Sequence, residues 1–167
     1  MTAPRSILCA TDLSPASAPT IRYALSLAAE FECKLVLLHV LEGLATLDNA
    51  VYAHQPPAVA VPSQQEAVAR QQLRQAVDTD ARAWCSIEER IVPGRPYEEI
   101  LRVAAQVSAD LIVMGGRHQP PLVRTFLAST SRSVVRAASC PVLTVRAAPT
   151  AGALDLQEDA LAAEVRS

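Results

Sequence analysis

An apolar run of strand length, Leu111–Met114, stops abruptly at the pair Gly115-Gly116. The chain then passes through Pro120 and Pro121 to a hydroxyl cluster, Ser129-Thr130-Ser131, which opens a segment of helical pattern. A buried strand that ends in a glycine turn and leads to a helix N-terminus belongs to α/β architecture. It is also how such proteins build an anion pocket, because the free backbone N–H groups and the positive end of the helix dipole face the same space.

The remainder of the chain repeats the alternation. Ser6–Thr11 (SILCAT) reads as a short interior strand closed by Asp12. Ser14-Pro15 offers an N-cap with proline at the first helical position, and Pro19 offers a second place to start. Beyond them Ile21, Ala24, Leu25 and Ala28 keep the spacing of a helix lying on a sheet. Lys34–Leu41 (KLVLLHVL) is apolar almost throughout, as a parallel strand covered on both faces requires. Glu42–Pro62 has no period and carries Pro56, Pro57 and Pro62, so it reads as a functional flap or a mobile loop.

Ser63-x-x-Glu66 is a capping box for a helix whose apolar face continues through Ala69, Leu73, Val77 and Trp84. Ser86–Val92 is a more polar strand, suited to an edge and broken by Pro93-Gly94. Pro96 starts a helix with Glu98 and Glu99 in its first turn and Ile100, Val103, Ala104 and Val107 as its stripe. Asp110–Met114, Ser129–Ala138 and Pro141–Val145 supply the fourth strand, fourth helix and fifth strand. Strand–helix alternation of this kind predicts a doubly wound parallel sheet with helices on both faces, and a ligand site beyond the carboxyl ends of the strands where their order reverses. Asp12, Val40 and Gly115 are expected to meet there. Ala147–Ser167 reads as an appended tail or loosely docked helix after a domain of residues 1–146.

Composition narrows the function. At 167 residues the chain suits one domain with a real core. Half of it is hydrophobic but only 4% aromatic, so that core is aliphatic. A net charge of −2 with scattered basic residues argues against a nucleic-acid surface. Lys34 is the only lysine and no Gly-Lys-Ser/Thr phosphate loop exists. No apolar run approaches the roughly 20 residues of a membrane span, and no signal peptide opens the chain. Cys9, Cys33, Cys85 and Cys140 form no Cys-x-x-Cys and read as free thiols in a reducing cytoplasm.

Five separate pieces, in this order and spacing, resemble the universal stress protein family: Ile7–Ser14 (ILCATDLS), Val36–Val40 (VLLHV), Gly94-Arg95-Pro96, Asp110–Gly115 (DLIVMG), and Ser129–Val145 with its ending SCPVLTV. The resemblance implies an adenine nucleotide α-hydrolase-like, Rossmann-like sheet of strand order 3-2-1-4-5. It also implies a homodimer through the last strand (Val142, Leu143, Thr144, Val145), and a regulatory, non-catalytic role in the stress response. Members often bind ATP, with Mg²⁺, through Gly-x2-Gly-x9-Gly-Ser/Thr.

Carried over, Gly115 matches the first glycine and Ser129 the terminal hydroxyl. Thr11 and Asp12 lie near the adenosine, Val40 reads adenine through its backbone, Met114 precedes the glycine loop, and Thr130 and Ser131 stand by the phosphates. His118 replaces the second glycine and Ala128 the third. Alanine costs on the order of 1 kcal/mol if that position is left-handed. The imidazole of His118 either donates a hydrogen bond to phosphate or fills the loop and closes the pocket. Three functions remain open on the sequence: nucleotide-responsive regulator, nucleotide-free homodimeric interaction module, and slow ATP hydrolase using Asp12 and Mg²⁺. His39, inside the second strand, reads as a satisfied or surface-facing histidine. Arg117 and Arg124 stand ready either to neutralise phosphate or to meet solvent.

Overall fold

The computed structural model describes residues 3–42, 64–116 and 130–146. They form five parallel strands: β1 (Ser6–Thr11), β2 (Lys34–Leu41), β3 (Ile87–Pro93), β4 (Leu111–Gly116) and β5 (Val142–Arg146). The strand order is β3-β2-β1-β4-β5, as expected. The helices are α1 (Ala18–Glu30), α2 (Gln64–Gln75), α3 (Thr79–Trp84), α4 (Pro96–Gln106) and α5 (Thr130–Ala137). Residues 43–63, which include nearly all of the expected Glu42–Pro62 connection and the expected cap Ser63, lie outside the described residues, as do 117–129 and 147–167.

Strand parity builds two cores. Ile7, Cys9, Leu35, Leu37 and Val113 point to one face, where α1 supplies Ile21, Ala24 and Ala28 and α2 supplies Leu73. Leu8, Ala10, Val36, Leu38, Ile112 and Met114 point to the other, where α4 supplies Ile100, Val103 and Ala104 and α5 supplies Val134. All six residues of β1 are buried, which is why its sequence shows no polar alternation. Fully burying one such aliphatic side chain, Leu73 for example, contributes about 2 kcal/mol.

Both prolines near α1 mark starts. Pro15 opens a 3-10 turn, Pro15–Ser17, and Pro19 lies in the first turn of α1 proper. The expected stripe of α1 is extended by Thr20, which is buried, while Leu25 is half-buried and packs against the core. The helix expected to run from Ser63 through Trp84 is two helices, interrupted at 76–78. Val77 is still buried, so the break turns the chain without giving up that contact.

Helices α1 and α4 leave their last turns by the same device. Cys33 N–H donates to Ala28 O at 3.0 Å with Glu32 at φ 50°, and Ala109 N–H donates to Ala104 O at 2.9 Å with Ser108 at φ 49°. This is a Schellman closure in which a non-glycine residue takes the left-handed position. After the second closure, Asp110 Oδ2 accepts the N–H groups of Arg5 (2.8 Å) and Ser6 (3.1 Å), tying the start of β1 to the entry of β4. Those two bonds hold the Asp110 carboxyl below the usual carboxylate range.

Gly94 follows β3 at φ 149° and donates to Leu41 O at 3.1 Å. A Cβ there would lie 2.6 Å from Glu99 Cγ, so the Gly94-Arg95-Pro96 turn needs its glycine for both conformation and space.

Candidate functional site

The register places the carboxyl ends of three strands side by side. Thr11 of β1 pairs with His39 of β2, and Ala10 pairs with Met114 of β4. Asp12, Val40 and Gly115 therefore each stand one residue beyond a paired position on neighbouring strands. Because β2 lies to one side of β1 and β4 to the other, the order reverses at this point, where open α/β sheets leave a crevice. The expected convergence holds.

The β1–α1 turn is braced by a hydroxyl relay. Thr11 Oγ1 donates to Ser17 Oγ (2.9 Å), which donates to Ser14 O (2.7 Å), while Leu13 N–H donates to Thr11 Oγ1 (3.0 Å). Asp12 is exposed at the edge, its Oδ1 accepting from Ser14 N (3.0 Å) and Ser14 Oγ (2.6 Å). These two bonds make a local turn at Asp12 that orients its carboxylate. Leu13 sits at φ 59°, an uncommon conformation for a branched aliphatic residue, and the relay around it is what holds it there.

His39 is satisfied, as its place inside a strand implied: Nδ1 lies 2.9 Å from Thr11 O. Val40 is half-buried and packs on the second core. Met114 is buried in that core. At Gly115 a Cβ would approach Thr20 Oγ1 to 3.3 Å, so the first motif glycine also serves the close packing of α1 on β4.

Thr130 and Ser131 open α5, both half-buried, with no acidic side chain in the first turn. Since α5 must return antiparallel to β4 before β5 can run parallel, its N-terminus lies at the same edge as Gly115. His118, Ala128, Ser129, Arg117 and Arg124 lie outside the described residues. Sequence reasoning missed Ser17, Thr20 and the strained Leu13. Thr20 had a signal, since it continues the four-residue spacing of Ala24 and Ala28 toward the helix start.

The donor set suits a polar ligand bearing an anion: an exposed, oriented carboxylate, a glycine edge, and a helix N-terminus bearing hydroxyls. Among the described residues no group of three His, Cys, Asp or Glu side chains could hold a metal ion. No described helix is long and apolar enough to cross a membrane.

Comparison with known proteins agrees with this geometry. A universal stress protein of Methanocaldococcus jannaschii is 28% identical over 151 residues, covering 85% of this chain and 82% of that protein. The Bacillus subtilis universal stress protein YxiE is 31% identical over 144 residues, covering 84% and 97%. A universal stress protein crystallised in complex with cAMP superposes with a TM-score of 0.64 at 25% identity, covering 88% of this chain and all of that one. The family model for universal stress proteins matches residues 4–146, and with the sheet order and the crevice in place the chain belongs to the universal stress protein family.

Proposed function

We propose that this protein is a regulatory, non-catalytic domain that binds an adenine nucleotide at the carboxyl edge of β1, β2 and β4. The observation that carries this reading is the register that brings Asp12, Val40 and Gly115 to one edge, within a residue of level, at the strand-order reversal. The cAMP-bound structural relative supports the ligand class. Asp12 and Thr11 would face the ribose, the Val40 backbone the base, and Gly115, Ser129, Thr130 and Ser131 the phosphates of ATP, with Mg²⁺ carried on the phosphate oxygens. Met114 would set the height of the glycine edge from the core beneath it. His118 and Ala128 modify the glycine loop without removing its anchors at either end.

The same reading takes the protein as a cytoplasmic homodimer joined through β5, with residues 1–146 as the working domain and 147–167 as an appendage. The described cysteines are all free thiols, which suits a reducing compartment.

Replacement of the second motif glycine by His118 favours one rival, a nucleotide-free interaction module with a closed pocket. Calorimetric titration with ATP separates them. The wild-type chain is expected to bind ATP in the presence of Mg²⁺, and His118→Gly to bind it several-fold more tightly. Binding by His118→Gly alone would establish the closed pocket, and no heat from either protein would overturn the nucleotide site. Steady phosphate release that disappears in Asp12→Ala would instead identify a slow hydrolase.

A further inference from the structure

At the opposite, amino-terminal edge of the sheet two cysteines meet at matching helix-to-strand junctions. Cys33 follows the closure of α1 and leads into β2, while Cys85 caps the end of α3 and leads into β3. The β2–β3 ladder begins at Leu35↔Ile87, and Leu35 N–H donates to Ser86 O at 2.9 Å. Cys33 and Cys85 each stand two positions before that first pair, so the register that aligns Leu35 with Ile87 also aligns the two cysteines. Both side chains belong to the same core cluster, with exposures of only 7% and 9%. Burial pushes the Cys33 thiol up, and Cys85 pushes it further, as expected of neighbouring thiols.

We propose that Cys33 and Cys85 form a reversible intramolecular disulfide under peroxide, stapling the α1–β2 and α3–β3 junctions. Neighbouring strands run about 4.8 Å apart. That spacing falls inside the roughly 4.4–6.8 Å between Cα atoms that disulfides span. The Cβ atoms must approach by about 1 Å from strand spacing to reach disulfide distance. Neither cysteine lies within the β2–β3 ladder, so this adjustment breaks no strand hydrogen bond.

The chemistry balances without a metal. One thiol gives up its proton and its sulfur attacks hydrogen peroxide, so the O–O bond breaks, a sulfenic acid forms, and the departing hydroxide takes that proton to leave as water. The second thiol loses its proton, its sulfur attacks the sulfenic sulfur and breaks the S–O bond, and the expelled hydroxide takes that proton to leave as the second water. Two electrons pass from the two sulfurs to the peroxide, and one S–S bond forms. Cys9 is less suited still: it lies inside β1 with no exposure at all, and burial pushes its thiol up to about 12, whereas Cys33 and Cys85 keep some exposure outside the β2–β3 ladder. Cys140 packs with the second core, on the other face of the sheet.

The test uses the full chain. After treatment with hydrogen peroxide, thiols titrated in denaturant are expected to fall from four to two, and to return to four on reduction. A non-reducing peptide map is expected to join the Cys33 and Cys85 peptides within one chain, and the oxidised protein to melt several degrees higher. A link through Cys9 or Cys140, over-oxidation with no cross-link, or four surviving thiols would each overturn the proposal. Cys33→Ala should abolish the link, whereas Cys9→Ser with Cys140→Ala should keep it. If Cys33→Ala does not fold, the wild-type peptide map decides alone. Because the pair lies at the edge remote from Asp12, the result stands apart from nucleotide binding.

Discussion

The two edges of the sheet solve one problem in opposite ways. Each edge strand turns alternate backbone groups away from its neighbour, and such a row invites another strand. On β3 the outward residues are Ile87, Glu89, Ile91 and Pro93, because Leu35 N–H bonds inward to Ser86 O. Pro93 has no N–H to offer at the outer rim, where its absence costs the β2–β3 ladder nothing. Charges flank the same strand: Lys34 pairs with Glu88 at 2.5 Å, Arg90 also pairs with Glu88, and Arg82 pairs with Glu89 at 2.5 Å. On β5, Ile112 N–H bonds inward to Pro141 O at 3.0 Å, so Val142, Thr144 and Arg146 face outward. No proline interrupts that row, and among the described residues no ion pair involves β5. One edge is guarded against pairing and the other leaves its outward backbone open to it, which is why the proposed dimer contact is placed on β5.

The strongest way to break this comparison is Thr144→Pro. It deletes an outward N–H and leaves the β4–β5 hydrogen bonds intact. Loss of that bond from each protomer, together with the ring's clash, should weaken the dimer by about 3 kcal/mol, roughly a hundredfold. Sedimentation should then show a folded monomer, where the proposal expects a dimer of the wild type. Val145→Pro is the parity control, since its N–H faces β4, and it should damage the fold itself. A Thr144→Pro protein that remains dimeric would remove β5 from the contact.

How legible all this was depended on what each residue's neighbours had to supply. The strands were legible because β1 and β2 are buried on both faces and so appear as unbroken apolar runs with sharp ends. The gathering of Asp12, Val40 and Gly115 at one edge was legible, since parallel strands all end at the same edge and the strand order makes these three neighbours. The split between α2 and α3 was not, because Val77 stays buried across the break and preserves the apolar spacing. Leu13 at φ 59° was invisible for a different reason: the relay through Thr11 and Ser17 holds it, and that relay exists only after the turn has formed. The pairing of Cys33 with Cys85 was hidden likewise, being a product of the β2–β3 register rather than of spacing along the chain.

A smaller effect sharpens the β3 side. The Glu89 side chain is only 13% exposed and meets Arg82 at 2.5 Å and Arg74 at 3.8 Å. Arg82 is further anchored by donating to Arg74 O at 3.2 Å. Glu89→Ala leaves these guanidinium groups facing each other across a groove without their carboxylate, and should cost about 1–2 kcal/mol in urea denaturation. Glu89→Gln keeps an acceptor and should lose less. If both variants match the wild type, the charges on this edge serve only to repel other strands.

The smallest effect concerns acid. The bonds from Lys34 and Arg90 hold the Glu88 carboxyl below its ordinary value of 4.5. A depressed carboxylate pKa contributes stability that is fully present above the unfolded value and is lost as pH falls through the folded one. Wild-type stability should therefore decline as pH drops below about 4.5, whereas Glu88→Gln should lack this part of the decline. The difference should be no more than about 1 kcal/mol, because Glu88 is one-third exposed and water screens the pair. Asp110, also depressed, titrates in both proteins and cancels in the comparison. The same acidification neutralises the charge that guards β3 while leaving the outward backbone of β5 unchanged. Any new association below that pH should accordingly survive Thr144→Pro, and association that disappears with Thr144→Pro would mean that β3 stays closed without its charges, through Pro93 alone.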